Sequence, residues 1–165
     1  MTGHAPIVAF VGKSGSGKTT LLVQVVQELK ARGYRVAVIK HHHREGELFD
    51  VPGKDSYRYA EAGADHVVLA GPKTIMHRRR VDHDLSLDEV AAVLGDVDLI
   101  IVEGYKRAQA PKIEVNRREN SEGLIFGAED LVAVVSDQRF DVPVPQFELQ
   151  DVQGVVGLLE DMFLR

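Results

Sequence analysis

The stretch Pro6–Thr20, which reads PIVAFVGKSGSGKTT, decides the fold of this 165-residue chain. Its first six residues form a short apolar run, which is typical of a strand buried on both faces of a parallel sheet. The next eight fit the pattern G-x-x-x-x-G-K-[ST] at every fixed position, and apolar residues recur at helical spacing behind them, from Leu21 to Leu29. A strand, a phosphate-binding loop and a helix are therefore expected in this order.

The loop supplies the predicted nucleotide-binding residues. They are Gly12, Lys13, Ser14, Gly15, Ser16, Gly17, Lys18, Thr19 and Thr20. The glycines let the backbone amides point towards the α- and β-phosphates, and the helix N-terminus adds its partial positive charge. Lys18 is expected to reach the β- and γ-phosphate oxygens, Thr19 to bind Mg²⁺ through its hydroxyl, and Thr20 to contact the α-phosphate.

Apolar runs of strand length follow along the chain, separated by stretches with helical spacing. The predicted strands are Arg35–Lys40, His66–Ala70, Asp98–Val102 and Leu131–Val135, with Thr74–Arg80 as an edge strand or hairpin arm. The predicted helices are Gly53–Ala64, Leu87–Leu94 behind an N-cap at Ser86, and Val155–Phe163. Lys112–Arg117 alternates polar and apolar residues, which indicates a half-exposed strand. The pattern predicts one domain over residues 1–165 with an α/β fold of the P-loop NTPase type, a doubly wound, mostly parallel sheet flanked by helices.

Composition narrows the function classes. The chain has no cysteine, which excludes a disulfide scaffold, a thiolate zinc site, an iron–sulfur cluster and a cysteine nucleophile. Its formal net charge of −5 argues against non-specific binding of nucleic acid. No apolar run approaches the ~20 residues of a membrane span. We expect a cytoplasmic protein that binds neither nucleic acid nor a membrane.

The charges are unevenly distributed along the chain. Residues 1–118 carry 18 Lys and Arg against 15 Asp and Glu, whereas residues 119–165 carry 2 against 10. Three basic groups, at Arg78–Arg80, Lys106–Arg107 and Arg117–Arg118, lie near predicted strand ends. Such groups usually form a solvated basic face, and in an anion-binding fold a second phosphorylated ligand or an acidic partner is a reasonable alternative.

Two carboxylates, one at each end of a predicted strand, are candidates for binding a metal ion. Glu103 follows the strand and precedes Gly104, so it is expected at the carboxyl edge of the sheet, beside the phosphate loop. Asp98 begins the strand and is better explained as a strand-start cap. Because Mg²⁺ prefers oxygen ligands, we predict Glu103 as a metal-site residue together with Thr19.

The second strand leads into three consecutive histidines, His41, His42 and His43. Neighbouring side chains of an extended segment point in opposite directions, so at most two of them share one ion without a tight turn. We favour a polar loop that faces an anionic site, with binding of a transition metal as the alternative. Lys54, beside the Pro52–Gly53 turn, is predicted as a further cation for the nucleotide.

Five segments in order carry a family resemblance. They are Gly12–Thr20 (GKSGSGKTT), Val38–His42 (VIKHH), Asp50–Arg58 (DVPGKDSYR), Asp98–Lys106 (DLIIVEGYK) and Pro111–Arg117 (PKIEVNR). With these segments the chain resembles the molybdopterin-guanine dinucleotide biosynthesis adaptor family, usually called MobB. The phosphate loop is shared by very many families, whereas P-G-K-D-S and V-E-G-Y-K are far more specific.

The resemblance implies a GTP-binding protein with weak or partner-dependent GTPase activity, with GTP and Mg²⁺ as its cofactors. It also implies a homodimer and an association with the guanylyltransferase that joins GMP to molybdopterin, so that molybdopterin or its guanine dinucleotide is a further ligand. The segment Pro52–Arg58 and Arg78 are then expected to help line the shared site.

The base-reading motif N-K-x-D of many GTPases is absent from the chain. Asp137, which follows the strand Leu131–Val135, is the best substitute for reading guanine and is equally well explained as a turn residue.

Two other classes of protein use the same phosphate loop. One is a metal-insertion GTPase of nickel-enzyme maturation, in which the histidines would hold the metal, and the other is a small-molecule kinase. No general base for hydrolysis is identified by the sequence.

Overall fold

The structure, a computed structural model, describes residues 3–42 and 50–165. The strands among them are β1 (Ile7–Val11), β2 (Val36–Lys40), β3 (His66–Ala70), β4 (Ile75–Arg79), β5 (Leu99–Glu103), β6 (Lys112–Asn116), β7 (Leu131–Ser136) and β8 (Gln146–Phe147). The helices are α1 (Lys18–Ala31), α2 (Asp55–Glu61), α3 (Leu87–Ala91) and α4 (Val152–Leu159), and α4 continues into a π-helical turn over Glu160–Leu164. The described residues fall into two compact units, one formed by residues up to 42 together with 86–165, the other by residues 50–85.

The larger unit contains a six-stranded sheet in the order β2-β5-β1-β6-β7-β8. Every neighbouring pair is parallel, as a chain of strand–helix–strand units requires. β1 lies inside the sheet between β5 and β6, so the loop that follows β1 emerges between the carboxyl ends of two other strands. The predicted α/β fold with a parallel sheet flanked by helices is confirmed.

The two faces of the sheet bury alternate residues of β1. Val8 and Phe10 belong to a buried cluster with apolar residues of α1 and α4. Ala9 and Val11 belong to a second cluster, with apolar residues of α3 on the opposite face. All four side chains are at most 1% exposed. The continuous apolar run of the sequence therefore reflects a strand covered on both faces.

β6 corrects the prediction of a half-exposed strand, because all five of its residues are buried. Its polar side chains are covered and have partners. Lys112 donates to the carbonyls of Ala108 and Ala110, and Glu114 accepts from two backbone amides of the following segment. Alternation of polar and apolar residues here marks a buried polar face and not a solvated one.

The smaller unit consists of α2 and an antiparallel hairpin of β3 and β4. The predicted hairpin arm is thereby confirmed, whereas β3 pairs with β4 alone and is not a strand of the parallel sheet. Helix α2 is shorter than predicted and begins behind Lys54, which occupies the N-cap without a side-chain capping bond. The single-domain prediction for residues 1–165 stays a prediction.

The helix over 87–94 ends earlier than predicted, at Ala91, and its predicted N-terminus is confirmed. Ser86 accepts a bond from the Glu89 amide, and the Glu89 carboxylate accepts one from the Ser86 amide, which completes a capping box. No helix in the described part of the chain is long and apolar enough to cross a membrane.

Candidate functional site: the phosphate loop and its neighbours

The phosphate loop leads directly into α1 and leaves the first amides of this helix without a side-chain cap. Gly17, the N-cap residue, adopts a left-handed conformation with φ 93°, and within the described part of the chain no side chain caps the amides of the first turn. Lys18, Thr19 and Thr20 form that first turn. Uncapped amides at a helix N-terminus favour an anion, as the motif predicts.

Gly12 fixes the other end of the loop against the sheet. A Cβ atom on this residue would lie 2.2 Å from the carbonyl oxygen of Val115 in β6. No side chain fits at that distance, so the first glycine of the motif is required by close contact with a neighbouring strand.

The Lys18 side chain curls back over the loop. Its Nζ donates to the carbonyls of Gly12 at 2.9 Å and Lys13 at 2.8 Å. Burial lowers the pKa of Lys18, and the nearby charges of Lys106 and Lys40 act in the same direction, while Glu103 opposes them. The loop therefore lies in a region where several positive charges converge.

Glu103, at the end of β5, contacts the phosphate loop as expected from its place in the sequence. The Thr19 hydroxyl donates to its carboxylate, at 3.2 Å to Oε1 and 3.4 Å to Oε2. Lys40 Nζ lies 4.0 Å from the same Oε1, and only 15% of the Glu103 side chain is exposed. The register of β1 and β5 pairs Phe10 with Glu103, which places this carboxylate beside the start of the loop.

Asp98, the competing carboxylate, lies at the opposite end of β5. It accepts from the backbone amide and the guanidinium of Arg35, at 2.7 Å and 2.9 Å. These bonds lower the pKa of Asp98. Its interpretation as a strand-start cap is confirmed.

The Thr19–Glu103 pair fits a magnesium ion by its chemistry. A hydroxyl and a carboxylate oxygen are ligands that Mg²⁺ accepts, and this ion commonly takes one or two protein oxygens together with phosphates and water. Within residues 3–42 and 50–165, no group of three or more His, Asp and Glu side chains is arranged to hold a metal. The metal role of Thr19 and Glu103 stays a prediction.

The histidine segment is described only as far as His42. The His41 ring stacks on Tyr105, with ring centroids 4.0 Å apart, and the His41 amide donates to the carbonyl of Glu103. Gly104 lies between Glu103 and Tyr105 in the chain and has a φ of 103°. A Cβ atom on this glycine would lie 3.2 Å from the Cβ atom of His41, so the two segments are in close contact. His43, the third predicted histidine, lies outside the described residues.

Two residues behind β6 contact the phosphate loop and were not predicted. Asn120 Nδ2 lies 3.5 Å from the carbonyl oxygen of Ser14, and a Cβ atom on Gly15 would lie 3.0 Å from the same Nδ2. Arg117 Nη2 would lie 3.3 Å from a Cβ atom on Gly17. The one signal in the sequence was the basic pair Arg117–Arg118 at the end of a predicted strand.

Asp137, predicted to read guanine, follows β7 and is exposed. Its Oδ1 accepts from the backbone amide of Arg118 at 2.8 Å, which joins the segments behind β6 and β7. Next to it, Gln138 donates to Asn116 Oδ1 at 2.7 Å and to the Ser121 carbonyl at 2.8 Å. Asp137 therefore has a turn contact in this structure, and its role towards the base stays a prediction.

Lys54 and Arg78 belong to the smaller unit. Lys54 is exposed at the N-cap of α2, and Arg78 lies in β4. Arg78 lines a cavity of about 240 Å³ together with Asp50, Ser56, Val67, Leu69 and Met76. Their roles in a nucleotide or pterin site stay predictions.

Comparison with known proteins gives consistent matches. A family model described as molybdopterin guanine dinucleotide synthesis protein B, MobB, matches residues 7–137. The molybdopterin-guanine dinucleotide biosynthesis adapter protein of Haemophilus influenzae is 34% identical over 163 residues, which cover 98% of this chain and 91% of the relative. The protein of the same name from Escherichia coli is 35% identical over 161 residues, with 93% and 91% covered.

Solved structures agree with the sequence matches. The crystal structure of Bacillus subtilis MobB is 29% identical and superposes with a TM-score of 0.77, covering 96% of this chain and 98% of that one. A crystal structure of molybdopterin-guanine biosynthesis protein B is 30% identical, with a TM-score of 0.74 and coverage of 95% and 99%. Similarity in sequence and fold therefore extends over nearly the whole chain.

Proposed function

Because the chain belongs to the family of molybdopterin guanine dinucleotide synthesis protein B, we propose that it is a GTP-binding adapter in the synthesis of this dinucleotide. In this role it assists the attachment of GMP to molybdopterin and is itself a slow GTPase.

The phosphate loop and its contact with Glu103 carry the proposal. The uncapped first turn of α1 would offer backbone amides to the phosphates. Lys18 is held at the loop by two carbonyls and would donate to the β- and γ-phosphate oxygens when nucleotide is bound. Thr19 and Glu103 would hold Mg²⁺, which supplies charge stabilisation to the phosphates when bound. These residues bind and orient the triphosphate.

Slow hydrolysis suits this arrangement. The carboxylate nearest the loop, Glu103, already accepts a bond from Thr19 and lies beside Lys40. A carboxylate whose oxygens already face a donor and a cation is poorly placed as a general base, because a base needs an oxygen within hydrogen-bond reach of the attacking water. Occupancy of the site by nucleotide is then more useful to an adapter than turnover.

The partners in this proposal are the guanylyltransferase that transfers GMP, and molybdopterin or its guanine dinucleotide. The family names of the relatives support this assignment. A homodimer is proposed from the family resemblance of the sequence.

Nucleotide titration tests the proposal. The purified protein is titrated with GTP and with ATP by calorimetry, each with and without Mg²⁺. We expect GTP to bind more tightly than ATP, Mg²⁺ to strengthen GTP binding, and Lys18→Ala to weaken it by about tenfold or more, since a charge-assisted contact to phosphate is lost. Lys73→Ala, which removes an exposed lysine from the hairpin turn, is the matched control.

Binding of ATP as tight as that of GTP, or no binding of either with Mg²⁺, would contradict the proposal. Tight retention of about one nickel ion per dimer in equilibrium dialysis would favour the metal-insertion alternative instead. The partner is tested by pull-down of the purified guanylyltransferase with and without GTP, where no retention in either condition would contradict the adapter role.

A further inference from the structure

Arg117, the residue directly behind β6, places its guanidinium over the start of α1. Its Nη2 would lie 3.3 Å from a Cβ atom on Gly17, so the charged group occupies the space that a side chain at this glycine would fill. Gly17 is the N-cap of α1 and the last glycine of the phosphate loop. The guanidinium therefore lies beside the amides that are predicted to bind phosphate.

Among the residues that the structure describes, this cation has no hydrogen-bonded partner that explains its position. Its Nε is buried and has no hydrogen-bond partner among residues 3–42 and 50–165. Within the same part of the chain, no carboxylate forms an ion pair with it. A partly buried cation with unsatisfied donors is unfavourable unless an anion completes its contacts.

The backbone around Arg117 holds it in place without using its side chain. The Arg117 carbonyl accepts from the amides of Asn120, at 2.8 Å, and Ser121, at 3.0 Å, which closes a tight turn. On one side Asn116 is buried and bonded to the Gly123 carbonyl, and on the other the Arg118 amide donates to Asp137. A cation on such a backbone is positioned in advance for its ligand.

We propose that Arg117 is a nucleotide-binding residue, which donates hydrogen bonds to the β- and γ-phosphates of the triphosphate held by the loop. The inference rests on the proposed function and adds a second cation, which follows β6, whereas Lys18 begins α1. A guanidinium suits this task because its planar donors match two phosphate oxygens at once. The side chain would approach the phosphates from the β6 side, whereas Lys18 approaches from the helix.

The test compares GTP with GMP, because GMP has the same base and lacks the two terminal phosphates. Calorimetric affinities for both nucleotides are measured with the unmodified protein, Arg117→Gln, Arg117→Lys and Arg118→Gln. The last variant removes the same charge one residue further on, where the side chain is exposed and the backbone amide donates to Asp137. Thermal unfolding of each variant is recorded in parallel.

We expect Arg117→Gln to weaken GTP binding by about tenfold to hundredfold, the range of a lost charge-assisted bond, and GMP binding by far less. Arg117→Lys should recover part of the loss, because it keeps the charge without the planar donors. Arg118→Gln should bind both nucleotides within about twofold of the unmodified protein, since a surface charge contributes little.

Four results would overturn the inference. GTP binding by Arg117→Gln within twofold of the unmodified protein would do so, with Lys18→Ala still defective to show that the site itself is correct. An equal loss of GTP and GMP affinity, accompanied by a lower melting temperature, would show that Arg117 acts only in packing. If Arg117→Gln does not fold, full GTP affinity in Arg117→Lys overturns the bidentate contact. Absence of GTP binding by the unmodified protein would overturn both this inference and the proposed function.

Discussion

The close approach of Gly12 to the Val115 carbonyl leaves no room for a side chain at this position of the phosphate loop. We predict that Gly12→Ala lowers the free energy of unfolding by about 1–3 kcal/mol, the cost of forcing atoms into a filled space, because its Cβ would lie 2.2 Å from a backbone oxygen. The same variant should lose GTP binding, since the loop must shift away from β6. Urea denaturation and calorimetry measure the two effects.

Gly157→Ala provides the matched control for this prediction. Gly157 lies within α4, and a Cβ atom there meets nothing within 4 Å. Alanine in a helix interior is expected to raise the free energy of unfolding by about 0.5–1 kcal/mol. Equal stability of Gly12→Ala and the unmodified protein would show that the loop can move without cost, contrary to the close packing described above.

The sequence predicted those residues of the candidate site that follow from a motif or from their position at a strand end. The loop from Gly12 to Thr20 follows a motif with fixed spacing, and Glu103 follows from the rule that functional residues lie at the carboxyl ends of parallel strands. Asn120 and Arg117 could not be predicted in this way. Their contacts with the loop depend on a turn behind β6, and no spacing rule connects that turn with the loop.

Among the elements, β6 shows why an alternating pattern is ambiguous. Lys112, Glu114 and Asn116 point to one face, which resembles a solvated face in the sequence. In the structure the segment that follows β6 returns over this face and supplies partners to Glu114 and Asn116, while Lys112 donates to two carbonyls of the segment before β6, so the strand is buried. Periodicity reports that two faces differ, whereas burial depends on what the rest of the chain places over them.

Glu114 makes the stability of this strand dependent on pH. Burial raises the pKa of Glu114 above its ordinary value, although the amides of Ile125 and Phe126 and the charges of Lys106 and Lys13 act against this shift. A carboxyl whose pKa is higher in the folded protein stabilises the fold at pH values below its unfolded pKa, and this contribution is lost as the pH rises through the folded pKa.

We therefore predict that the free energy of unfolding of the unmodified protein, relative to Glu114→Gln, falls as the pH is raised from about 4 to 7. Urea denaturation across this range measures the difference, and Glu122→Gln, which removes an exposed carboxylate, corrects for the change in net charge. A difference that is constant with pH, or that grows with rising pH, would contradict the raised pKa.

For the molecule as a whole, the acidic net charge conceals a basic site. The charges of Lys40 and Lys106 lower the pKa of Lys18, and the Arg117 guanidinium lies beside Gly17. Residues 119–165 carry all of the excess negative charge. A polyanionic ligand responds to the local positive field more than to the total charge. The formal net charge of −5 is therefore a poor guide to the charge of a ligand that suits the phosphate loop.

This charge distribution predicts that GTP binding weakens as salt is added. Between about 50 and 500 mM NaCl we expect a loss of about three- to tenfold in affinity, because the screening length falls from roughly 14 Å to 4 Å. Lys106→Gln should weaken binding at low salt and have little effect at high salt. Calorimetric titration at several salt concentrations measures both, and an affinity independent of salt would show that the field of these lysines does not reach the ligand.

The strand order also determines when this protein can fold as the ribosome releases it. β1 and β2 come first in the chain, yet they do not pair with each other, and both take β5 as a neighbour. A nascent chain that ends before Leu99 therefore holds two apolar strands of the sheet without their hydrogen-bonded partners. Closing such long loops costs entropy before any contact is gained, which makes pairing of this kind slow. The phosphate loop is thus synthesised among the first residues, and its surroundings are completed only after translation of β5 and β6. Until then, unpaired apolar strands leave the chain exposed to aggregation, and a ligand of the loop cannot yet protect it.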